Sequence, residues 1–111
     1  MLIQKNVLKL NLFSQFLITT HAQSVECYDA DTDTWSEVAS MNYNRSSFAA
    51  VVVDQYIFVL GGLNTTTVER FDTRTSRWEL MPAMNMKRLN FGAAQVCGFI
   101  YVVGKQHAFC L

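Results

Sequence analysis

The sequence predicts an all-β fold made of four-stranded antiparallel sheets in a radial array. Its first support is a self-match at an offset of 43 residues: Val25-Glu26, Asp29, Trp35, Met41 and Arg45 recur as Val68-Glu69, Asp72, Trp78, Met84 and Arg88. The register continues through Phe48/Phe91, Ala50/Ala93, Val53/Val96, Ile57/Ile100, Val59/Val102 and Gly61/Gly104, so the repeat fills its whole period. The second support is that each period holds short apolar or alternating runs separated by turn residues. The third is negative, since a helical solenoid would space its apolar residues three and four apart. A repeat of this length is one supersecondary unit that buries its apolar faces only against stacked neighbours.

The elements follow in order within the best-defined period. Phe48 to Val53 and Tyr56 to Leu60 are β-branched and aromatic runs divided by Asp54-Gln55, a polar pair suited to a tight hairpin. Gly61-Gly62 ends the second run, where the missing Cβ permits positive φ and close approach of a neighbouring backbone. Asn64-Thr65-Thr66 supplies a loop, and Val68-Glu69-Arg70-Phe71 then alternates as a half-buried third strand should. Asp72 to Ser76 is a turn whose side chains bond back to their own backbone, and Trp78 to Met81 begins a fourth strand. Pro82 cannot donate to a ladder and belongs at that strand's end.

Composition limits what the chain can do. Its 111 residues are 50% apolar, which predicts a packed body. Nine basic side chains balance nine acidic ones, so no long-range field draws phosphates, and neither nucleic acid nor a membrane surface is expected as partner. Cys27, Cys97 and Cys110 are odd in number without C-x-x-C spacing; they are expected as reduced, small, buried apolar side chains. Asn44-Arg45-Ser46 and Asn64-Thr65-Thr66 match the glycosylation pattern, which matters only in a secreted chain. The apolar stretch after Lys5 is broken by Lys9, Asn11, Ser14 and Gln15 and is neither a clean secretory signal nor a membrane span. A soluble, cytoplasmic protein is expected.

The string Met41-x-x-x-Arg45, an apolar strand, Tyr56 to Gly62, Val68-Glu69-x-Phe71-Asp72, Trp78 and Met84-x-x-x-Arg88 resembles the Kelch repeats of β-propellers. The resemblance implies twisted four-stranded blades packed face to face around a channel, commonly six to a ring. It places a partial blade at 24–44, a complete one at 45–87 and a truncated one at 88–111 that stops before its third and fourth strands. Residues 1–23 are a degenerate half-blade or unrelated sequence, because Leu2 and Ile18-Thr19 stand where the arginine and the glycine pair belong. A closed ring needs about 260 residues at this period, so the chain supplies part of one. One arrangement that adds to it pairs the last strands of one copy with the Ser24 to Ser40 strands of another. The resemblance also implies that Trp35 and Trp78 fill the spaces between sheets, and that Gly61, Gly62, Gly104, Glu26 and Glu69 are structural.

For function, the resemblance implies a non-catalytic protein-interaction module of the kind that recognises substrates for cullin-based ubiquitin ligases. An actin-binding cytoskeletal protein and a fragment of a propeller oxidase are the alternatives. In such adaptors, arginines at the channel mouth grip acidic peptides, which assigns partner binding to Arg45 and Arg88; a planar guanidinium fork suits a carboxylate. The competing role for each is to tie loops of neighbouring blades together. Ser24 and Thr67 precede the Val-Glu pairs and offer hydroxyls, and Leu63 and Asn64 sit in an adjoining loop. No cofactor or metal is expected: Asp29-Ala30-Asp31-Thr32-Asp33 resembles a calcium loop but has Thr34 in place of its glycine and Ser40 in place of its glutamate. The two imidazoles, His21 and His107, stand apart from any ligand or triad pattern.

Overall fold

The computed structural model describes residues 5–9, 14–19, 25–29, 31–46, 48–87, 92–103 and 108–110, with 5–9, 14–19 and 108–110 described as backbone only. Among these residues the chain forms strands and turns and no helix. The first sheet joins β1 (Lys5–Lys9), β2 (Ser14–Thr19), β3 (Val25–Asp29) and β4 (Thr34–Val38) in that spatial order. The second joins β5 (Ala49–Val53), β6 (Tyr56–Leu60), β7 (Val68–Asp72) and β8 (Arg77–Met81), and the third joins β9 (Gly92–Val96), β10 (Phe99–Val103) and β11 (Ala108–Cys110). Every pairing is antiparallel. The first strands of the three sheets gather, with β5 touching both β1 and β9.

In the second sheet the strands lie where the apolar runs put them, and Val53 opposite Tyr56 leaves Asp54-Gln55 as a two-residue turn. At the N-terminal flank the strands within 24–44 share one four-stranded sheet with β1 and β2, because β3 pairs with β2. With β3 and β4 already paired inside the chain, they leave no place for the last strands of a second copy. The third sheet does have a third strand. Residues 104–107 connect β10 to β11 where residues 61–67 connect β6 to β7, so β11 starts early and drops out of the 43-residue register. Phe109 then stands opposite Val102 as Glu69 stands opposite Val59.

The core lies between sheets, in two clusters built from repeat-equivalent residues. At the first junction Val25, Met41, Ile57 and Val59 are buried together with Phe48 and Phe71; at the second, Val68, Met84, Ile100 and Val102 are buried with Val51 and Leu60. Val25/Val68, Met41/Met84, Ile57/Ile100 and Val59/Val102 are each 43 apart, so the same stacking is used twice. Strand pleating explains the assignment: Ile57 and Val59 point from β6 to the first junction, while Phe58 and Leu60 point to the second. Each side chain fully buried this way contributes roughly 1.5–3 kcal/mol.

The tryptophans, expected to behave alike, differ. Trp78 is half-buried against the first cluster, and its Nε1 donates to the Ala39 carbonyl of the preceding sheet at 2.6 Å. Trp35 is 51% exposed, because its own seat would lie on a sheet preceding the first. Cys97 is corrected too: it is exposed in the β9–β10 turn at φ 52°, while Cys27 is half-buried and Cys110 lies where only the backbone is described.

Gly62 has the backbone conformation that its sequence position predicts. Its φ is 121°, and a Cβ there would come within 2.7 Å of the Ser46 carbonyl oxygen. Gly62→Ala is expected to lower the unfolding free energy by at least about 1–3 kcal/mol from backbone strain alone. Gly92→Ala, at a site with open space around the glycine, is the control, and equal losses in urea melts would refute the argument.

Candidate functional site

The seven-residue connection 61–67 between β6 and β7 is the most constrained loop among the described residues, and the constraint is a buried charge. Arg45 lies just ahead of β5 with its side chain fully buried, and Glu69 on β7 is fully buried beside it. Arg45 Nη2 donates to Glu69 Oε2 at 2.9 Å, and Nη1 donates to the carbonyls of Gly61 and Thr67, each at 2.8 Å. One guanidinium thereby holds both ends of the loop. Glu69 is also the acceptor for the preceding segment: Oε1 takes the backbone N–H and Nδ2–H of Asn42 at 2.7 and 2.8 Å, and Oε2 takes the Tyr43 N–H at 3.3 Å. Arg45 Nε is buried without a hydrogen-bond partner.

Main-chain bonds complete the clamp. Gly61 N–H donates to Thr67 O, Leu63 N–H to Ser46 O and Met84 N–H to Thr66 O, at 2.9, 2.8 and 2.9 Å. The Thr65 and Thr67 hydroxyls lie 2.8 Å apart, and the Thr67 N–H donates to Thr65 Oγ1. What projects is the tip: Leu63 is 55% exposed, and Asn64 is exposed at φ 61°, a left-handed conformation that asparagine tolerates. Tyr43 is also exposed, its ring centroid 6.0 Å from Arg45 Cζ.

Placed against the sequence expectations, the site residues separate. Arg45 has no exposed side-chain surface to offer a peptide: its charge is spent on Glu69 and two carbonyls inside the fold. The loop-tying role is the one its geometry fits. Glu69 is fully buried, its repeat partner Glu26 is half-buried, and Gly61 and Gly62 are buried at positive φ. Thr67 is half-buried with its hydroxyl turned to Thr65; Asn64 is accessible. Arg88, Ser24, Gly104, His21 and His107 lie outside the described residues. Sequence reasoning missed the pairing of Arg45 with Glu69, although both types recur together at the 43-residue offset, as Glu26/Glu69 and Arg45/Arg88.

The aspartates of the failed calcium pattern form the β3–β4 turn. Asp29 Oδ1 accepts the Asp31 N–H, and the Tyr28 hydroxyl donates to Asp33 Oδ1 at 2.6 Å. That hydrogen bond is the main cause holding the Tyr28 phenol above its ordinary value of 10.0. Burial, followed by the nearby Asp29 carboxylate, likewise raises the Cys27 thiol.

The radial stacking, the glycine pair and the arginine–glutamate clamp are consistent with what a comparison with protein families finds, a match to the Kelch motif over residues 19–42 and 44–85. The chain belongs to the Kelch motif family. Kelch-like protein 28 of Homo sapiens is 42% identical over 45 residues, which is 40% of this chain and 8% of that protein. Kelch-like protein 15 of Danio rerio is 50% identical over 40 residues, 36% of this chain and 7% of that protein. The matched Kelch segment thus spans less than a tenth of either relative's length. Among solved structures, that of YjhT superposes with a TM-score of 0.80 at 14% identity, covering 93% of this chain and 34% of its own, which shows a shared Kelch propeller fold.

Proposed function

We propose that this Kelch chain is a non-catalytic docking segment, the substrate-recognition part of a cullin-based ubiquitin ligase adaptor acting in the cytoplasm, whose client is an acidic peptide segment. The observation that carries the reading is the clamp: a loop pinned at both ends by a buried guanidinium presents Leu63 and Asn64 as a preorganised tip, which limits the ordering cost of binding. Asn64 offers amide hydrogen bonds, and Thr67 and Ser24 contribute hydroxyls in the same role. With Arg45 internal, Arg88 is the arginine assigned to the acidic client. Its counterpart's acid is not repeated at the equivalent pairing, where Phe109 stands opposite Val102. Any contact with a cullin would be made by other domains of such an adaptor.

The test is affinity purification of the full-length product followed by titration of the acidic client peptide it recovers. Arg88→Ala is expected to weaken client binding about tenfold or more, the worth of a charge-assisted hydrogen bond, with stability changed by no more than about 0.5 kcal/mol. Recovery of actin filaments in place of a cullin and a client, or an equal loss of binding and stability, overturns the proposal.

A further inference from the structure

The β3–β4 and β7–β8 turns are one turn built twice. In the first, Asp29 Oδ1 accepts the Asp31 N–H at 2.9 Å, and Asp33 stands at φ 52°. In the second, Asp72 Oδ1 accepts the Arg74 N–H at 2.9 Å, and Ser76 stands at φ 57°. Asp33 and Ser76 are 43 residues apart in sequence, so they occupy the same place on the same backbone. What differs is charge. The first turn keeps a permanent carboxylate at that place, with Asp31 two residues before it and Thr34 one residue after. The second has a hydroxyl there, and both flanking places are arginines, Arg74 and Arg77.

We propose that Ser76 is a phosphorylation site, modified by an arginine-directed protein kinase that uses ATP. The neighbouring hydroxyls are set aside by their surroundings. Thr73 is half-buried and its hydroxyl donates to the Gln55 carbonyl at 2.8 Å. Thr75 is exposed, but its counterpart is Thr32, so neither turn carries an acid at its place. Ser76 is exposed, and Asp33 shows that this turn accommodates an anion at the same position and the same φ.

The two flanking guanidiniums suit the product. Arg74 and Arg77 are exposed and neither is in an ion pair among the described residues, whereas Arg70 is held by Glu79 at 2.8 Å and lies over the Tyr56 ring. In the transfer the Ser76 hydroxyl oxygen bonds to the γ-phosphorus of ATP, the bond from that phosphorus to the β-phosphate oxygen breaks, ADP leaves, and the hydroxyl proton passes to the kinase's catalytic carboxylate. A charge of about −1.5 to −2, with three acceptor oxygens, is thereby placed between two arginines. Access is from the rim, because β8 is the outermost strand of its sheet. Opening the Asp72–Arg77 end pair and the Ser76 N–H bond to Asp72 O frees the turn while Trp78 stays bonded to Ala39. The inference rests on the cytoplasmic placement proposed above, where kinase and ATP are at hand, and not on the client role.

The experiment incubates the 111-residue chain with ATP and conventional protein kinase C, which takes basic residues on both sides of its acceptor, and locates phosphate by mass spectrometry of chymotryptic fragments. Being run in vitro, it is decided separately from the placement. Phosphate on Ser76 is expected, and its loss in Ser76→Ala. Replacing Arg74 and Arg77 together by alanine should slow incorporation about tenfold or more, since charge pattern sets kinase choice. Ser76→Asp, which reproduces the carboxylate of Asp33, should raise Tm at low salt by roughly 1–4 °C, the worth of an exposed ion pair. That rise should vanish when both arginines are alanine. Phosphate on Thr75 in place of Ser76, no incorporation into the folded chain, a rate indifferent to the arginines, or a lower Tm for Ser76→Asp overturns the proposal.

Discussion

Glu69→Ala is expected to remove about 3–5 kcal/mol of unfolding free energy, the usual loss when one partner of a buried ion pair is deleted. Against total stabilities of roughly 5–15 kcal/mol this brings the chain close to unfolding. The size follows from what is left behind. The Arg45 guanidinium keeps its charge, has no exposed surface to hydrate, and already has one unpartnered nitrogen, Nε. The backbone N–H groups of Asn42 and Tyr43 also lose their acceptor. Replacing both members at once, Arg45→Met with Glu69→Leu, should cost less than Glu69→Ala alone, because no charge remains to be desolvated. Urea melts of the two variants make the comparison. A Glu69→Ala loss under about 1 kcal/mol would mean that water reaches the pair and that the loop is not held as described.

The second large effect is at the first junction. Phe71→Ala is expected to cost about 3–5 kcal/mol, since the ring is 1% exposed, lies in the first core cluster and packs 5.2 Å from Trp78. Its repeat counterpart provides the contrast. Tyr28 faces Trp35 at 5.0 Å with nearly the same ring tilt, yet Trp35 is half exposed and among the described residues no sheet is stacked on the pair. Tyr28→Ala should therefore cost about 1 kcal/mol, the worth of an aromatic pair without deep burial. Equal losses at the two positions would show that burial between sheets is not what separates the repeats.

Those two pairs also show why sequence reading stops where it does. Trp35 and Trp78 are indistinguishable as letters in a repeat, because both occupy the same place in their unit. Their difference comes from neighbours. Trp78 meets the Ala39 carbonyl of the sheet before it, while the repeat puts Trp35's equivalent acceptor ahead of Met1. Arg45 was legible as a positioned cation but not as a buried one, because its acid lies 24 residues away and faces it only after the β6–β7 hairpin forms.

By itself the sequence determined what local chemistry controls: an all-β chain, the strands of the second sheet, the two-residue turn at Asp54-Gln55, the glycine at the close approach to Ser46, and which side of each strand is apolar. These depend on a side-chain period of two and on turn residues, both contained within a few neighbours in the chain. Tertiary structure alone decided three things. It joined β1 and β2 to the first sheet, it formed β11 three residues early after a shortened connection, and it turned Arg45 inward as a clamp instead of outward as a contact. The reason is common to all three, since each depends on backbone pairing or desolvation between segments distant in sequence, and a repeat register says where equivalents lie without saying what covers them.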